Sequence, residues 1–122
     1  MKKLSDFSGV QGLSVYAKLS PLVNEIAESE TITAALRTIT AMSEEERNTT
    51  KVGRKFMEDM VGVMLGEKPE ATMRILAVLN EKDVDEMQTV PAPELWTMTQ
   101  ELLTDKDFTR FFYSFVDIHA AK

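Results

Sequence analysis

Apolar residues recur along the chain at spacings of three and four, and no stretch alternates apolar with polar for long enough to make a half-buried strand. The pattern predicts an all-α fold. Val15, Leu19, Leu22, Val23 and Ile26 form a first stripe, interrupted at Ser20-Pro21. Ser can cap a helix and Pro can take its first position, so this helix either restarts at Pro21 or kinks there. Ile32, Leu36, Ile39 and Met42 form a second stripe, with Ser29 or Thr31 as its cap. Ser43-Glu44-Glu45-Glu46 reads as a capping box, its acids matched to the positive end of a helix dipole. The helix it opens is predicted to run to Leu65, with Phe56, Met57, Met60, Val61 and Met64 on its apolar face and Gly66 as its stop. Pro69 starts another helix carrying Ile75, Leu76 and Leu79, and a short helical turn is predicted from Asp83 to Met87.

Val90-Pro91-Ala92-Pro93 is the clearest break, because two prolines two apart forbid a helix interior and push their predecessors toward extended geometry. It reads as an internal linker at residues 90–93. Beyond it, Leu95, Met98 and Leu102 define one amphipathic helix and Phe108, Phe111, Phe112, Phe115 and Ile118 another. Five of the nine aromatic residues lie between Phe108 and Phe115, so this last helix must be buried. The expectation is one compact domain over residues 1–122, built of about six helices behind a flexible N-terminus of residues 1–12. A chain of 122 residues buries roughly two-thirds of its unfolded surface and folds without staples.

Composition mainly excludes chemistry. There is no Cys and a single His, which removes disulfides, thiolate metal sites and a cysteine nucleophile. The lone His119, near the end of the last helix, has no second ligand or catalytic partner in sight. Asp83, Asp85 and Glu94 fit positions one, three and twelve of a calcium loop, yet Gln88 stands where the loop needs glycine and Met87 cannot ligate. Glu58-Asp59 point about 100° apart on a helix and cannot flank one substrate bond. The five glycines are scattered and form no phosphate cradle. A protein without enzymatic activity, cofactor or metal is expected. Twenty acids against 14 bases give a net charge of −6, which disfavours broad adhesion to nucleic acid or anionic membrane. The longest apolar run, Met60 to Leu65, is too short for a signal peptide core or a membrane span, so the product is expected to stay where it is made.

Two surfaces are candidates for binding. Met57, Met60 and Met64 share one helical stripe, and Met repacks readily against varied apolar partners; with Trp96 they make a candidate protein-binding set. The competing reading of the same stripe is ordinary core packing. Arg47, Lys51, Arg54 and Lys55 recur at helical spacing as a basic face, the feature that would suit DNA or an acidic protein in a small regulatory protein. Its plainer reading is a solvated face paired with Glu44, Glu45 and Glu58.

The stretch from Ile75 to Glu86, ILAVLNEKDVDE, is followed after a gap by Glu101-Leu102-Leu103-Thr104-Asp105-Lys106-Asp107-Phe108 and by Phe111-Phe112. Over residues 69 to 116 this resembles the small tail assembly chaperones of long-tailed phages and prophages of Gram-positive bacteria. The resemblance implies a non-enzymatic, all-helical protein in the cytoplasm of the bacterial host. Such a protein would bind the long, helix-rich tape measure protein while the tail tube polymerises around it. It implies further contacts with other tail proteins or with copies of itself, and none with membrane.

Overall fold

The computed structural model describes residues 1–47 and 49–120, excepting the side chains of Arg47, Thr50 and residues 116–120. The side chains of Ile118 and His119 thus lie outside the described residues, as does that of Arg47. Every regular element described is helical. A 3-10 turn at Leu4–Asp6 leads to α1 (Gly9–Ala27), α2 (Glu30–Ala41), α3 (Glu44–Arg47), α4 (Thr50–Val61), a π-helical segment (Gly62–Glu67), α5 (Pro69–Asn80), α6 (Val84–Met87), α7 (Ala92–Thr104) and α8 (Lys106–Ala120). Six are long helices, and α3 and α6 are single turns of four residues.

The core follows the predicted stripes. Val15, Leu19, Val23 and Ile26 of α1 are buried against Ile75, Leu76 and Leu79 of α5, and Phe108 and Phe112 of α8 close the same cluster. Burying each such side chain contributes roughly 1.5–3 kcal/mol. Helices α1 and α5 run antiparallel. Gln11, at the start of α1, donates to Glu81, just past the end of α5, at 3.1 Å, while Ser29, just past the end of α1, donates to Glu67, just before α5, at 2.8 Å.

Three local expectations are corrected and one alternative is decided. Of the restart or kink expected at Pro21, the restart is excluded, since α1 runs continuously from Gly9 to Ala27. Pro21 has no N–H to give, and the Ser20 hydroxyl donates back to the Tyr16 carbonyl at 2.8 Å. Residues 1–12, expected as a flexible lead-in, instead bury Leu4 and Phe7, and the Lys2 N–H donates to the Leu79 carbonyl at 3.1 Å. The single helix predicted from the Ser43 box to Leu65 is broken. Ser43 does cap, accepting from the Glu46 N–H at 3.3 Å, but α3 ends at Arg47 and Thr49 caps a new helix by accepting from the Val52 N–H at 3.3 Å. Three poor helix formers, Asn48, Thr49 and Thr50, stand together there. Finally, the proline linker is shorter than residues 90–93: Pro91 is the N-cap of α7 and Pro93 sits in its first turn, where its missing N–H costs nothing.

The stretch around Gly66 also differs. Gly66 does not stop the helix; the backbone widens into π geometry through Glu67, and the Lys68 N–H donates five residues back to Val63 at 2.7 Å. In that geometry the Met64 carbonyl would look to residue 69, which is proline and has no N–H. The buried hydroxyl of Thr72 supplies the missing donor at 2.6 Å. A π turn, a proline and a threonine therefore form one satisfied unit joining α4 to α5.

Candidate functional site

The methionine stripe is divided by the fold. Met60 and Met64 are 4% and 0% exposed and belong to the core, whereas Met57 is 41% exposed beside Phe56 and Tyr113. The helix carries Met60 inward against Phe108 and Phe112, and the π segment carries Met64 in with Val63. Only Met57 of the three can meet a partner without rearrangement. Trp96, also 41% exposed, sits on α7, whose principal neighbour is α8, so the four residues do not form one surface.

Of the basic face, Lys51, Arg54 and Lys55 are exposed along α4. Lys55 is already engaged: its Nζ lies 3.0 Å from an Asp59 carboxylate oxygen one turn on. That hydrogen bond, reinforced by the charges of Asp59 and Glu58, raises the lysine above its ordinary pKa. The face is therefore weaker than its spacing suggests, with Lys51 and Arg54 left without an ion-pair partner among the described residues.

One apolar concavity is formed by residues that sequence spacing did not single out together. Between α2 and α4 lies an open groove of about 420 Å³ whose floor is Ala35, Ile39, Met42, Val52 and Phe56. All five are half-buried, so each keeps apolar surface in contact with water. Thr38 and Thr49 line its edges, and the charged groups at its rim, Lys51, Lys55, Glu46 and Asp59, balance to zero. Phe56 is held from behind by Tyr113 of α8, the rings stacked 6.0 Å apart at 19°. Its signal in the sequence was present but divided: Ile39 and Met42 end one stripe and Phe56 opens another, and only the break at Thr49 folds one against the other.

No grouping among the described residues offers an obvious reaction centre. No three His, Cys, Asp or Glu side chains among them are arranged to hold a metal ion. Asp83 flanks α6 as its N-cap while Glu94 lies in the first turn of α7. The buried side-chain polar atoms among the described residues all have hydrogen-bond partners. Among the described residues, no helix is long and apolar enough to cross a membrane. What the arrangement offers chemically is an apolar trough between two helices with a neutral polar rim. No protein-family model, curated protein or solved structure matches the chain.

Proposed function

We propose that this chain is a non-enzymatic helical chaperone that holds an amphipathic helix of a larger protein, and specifically that it acts in phage or prophage tail assembly on the tape measure protein. The observation that supports the reading is the α2/α4 groove, with five half-buried apolar side chains on its floor. An amphipathic helix laid into such a trough places residues at i, i+3, i+4 and i+7 on the floor and leaves its polar face to water. A neutral rim suits a holder that must later release its cargo, since no buried charge pair has to be broken. The tail-specific part rests on the resemblance over residues 69 to 116.

Co-expression with the tape measure protein of the same genome tests the reading. Expected are a gain in soluble tape measure protein and co-elution of the two chains. A tape measure protein that stays insoluble and elutes alone overturns it. Val52→Glu places a carboxylate on the half-buried groove floor. It is expected to abolish co-elution, with circular dichroism and a cooperative thermal transition checking that the variant still folds.

A further inference from the structure

A second groove, between α1 and α5, has a different character. It encloses about 610 Å³ and carries Lys18, Arg74 and Lys82 around its edge, with Leu22 and Val78 half-buried along its floor and Val15 buried beneath. None of the three cations makes an ion pair or hydrogen bond with a described residue. The two acids of the groove do not neutralise it. Glu81 is occupied by Lys2 at 3.0 Å and Gln11 at 3.1 Å, which leaves Asp83 against three cations.

Lys18 of α1 and Arg74 of α5 share the edge of the groove, so a bound anion would meet positive charge from both helices. Arg74 lies within α5 and Lys82 two residues past its last residue, Asn80, so the cations are spread along the groove. An apolar floor offers nothing to a phosphate ion or to a sugar-phosphate backbone. An amphipathic helix fits both features, with carboxylates spread along it for the cations and apolar side chains between them for Leu22 and Val78.

We infer that the α1/α5 groove is a second docking site, and that its occupant is an acidic amphipathic helix of the protein partner. The inference rests on the chaperone reading in taking that partner to be the tape measure protein. Chaperone and cargo would then touch at two places of different chemistry, one neutral and apolar, one cationic. Contacts of the second kind govern encounter and salt dependence more than lifetime.

The test uses the full chain, the tape measure protein of the same genome, and overlapping 20-residue peptides tiled from it. The triple variant Lys18→Glu, Arg74→Glu, Lys82→Glu changes three exposed side chains, and circular dichroism checks that it folds. Wild type is expected to retain peptides that combine an apolar helical stripe with carboxylates spread along the helix. The variant should lose them by about tenfold or more in affinity, and the salt dependence of binding to the whole partner should flatten. Reversal of Lys106 and Arg110, exposed on α8 and lining neither groove, is the control and should leave acidic-peptide binding unchanged. Equal retention by wild type and triple variant overturns the inference while leaving the chaperone reading intact. So does displacement of those peptides by inorganic phosphate or a 20-mer oligonucleotide at matched concentration, or a self-association of wild type that the variant lacks. Failure of wild type to bind the whole tape measure protein overturns the chaperone reading first, and this assignment with it.

Discussion

Pro69 removes a backbone donor, the π turn before it redirects another, and the hydroxyl of Thr72 satisfies the carbonyl of Met64 that both leave open. Because that carbonyl is buried, a substitution deleting the hydroxyl leaves an acceptor without water or protein to meet it. Thr72→Val is therefore expected to destabilise the protein by about 1–3 kcal/mol in urea titration, and Thr72→Ser to recover most of the loss. Glu67, three residues past Met64, works by charge. Its carboxylate oxygens accept from the hydroxyls of Thr31 and Ser29, each at 2.8 Å, tying the end of the π segment to the start of α2. Those bonds, Thr31's the stronger influence, hold the Glu67 pKa below the ordinary carboxylate value. A group depressed in the folded state contributes stability above its unfolded pKa and loses it as pH falls through the folded one. The urea midpoint of Glu67→Gln is thus expected below that of wild type at neutral pH, with the gap closing as the pH is lowered through the acid range. A gap independent of pH would show that charge is not what Glu67 contributes.

Among the elements, α4 shows what periodicity conveys and where it stops. Its apolar face was legible, and so were the stripes of α1, α5 and α8, because a 3.6-residue period survives any tertiary context that buries one face. The break at Thr49 was written in three poor helix formers that an overlapping capping box masked, and the π segment has no signal in apolar spacing at all. The division of Met57 from Met60 and Met64 was equally hidden: all three share a stripe, and only the fold turns Met60 in against α8 and Met64 in with the π segment while leaving Met57 exposed. The α2/α4 groove needed two elements to meet and so could not be read from either. Within α4, Gly53 occupies an exposed interior position, and a Cβ built there meets nothing within 4 Å. Gly costs a helix interior about 0.8–1.0 kcal/mol relative to Ala, so Gly53→Ala is expected to raise stability by up to that amount in urea denaturation. Gly9 has φ of +57°, where a Cβ strains the backbone, and the same substitution there is expected to lower it.

At the scale of the whole molecule, α8 holds together parts that are distant in sequence. It packs on α1, α2, α7 and the N-terminal 3-10 turn. Phe108 and Phe112 are 1% and 3% exposed within the common core, and Phe111 meets Tyr16 of α1 edge-on at 4.8 Å. Losing one such phenylalanine costs about 3–5 kcal/mol, and the whole stability of a domain is typically 5–15 kcal/mol. Removing residues 106–122 takes both buried rings and uncovers the α1, α2 and α7 faces at once, a loss greater than the domain's whole margin. The full chain is expected to unfold in a single urea transition that coincides by tryptophan fluorescence and circular dichroism, since Trp96 on α7 reports the helix next to α8. The chain ending at Asp105 is expected to keep residual helix with no cooperative transition and to bind a hydrophobic dye. Persistence of a cooperative transition in the shortened chain would mean that α1 and α5, with the π segment between them, form a core sufficient without α8.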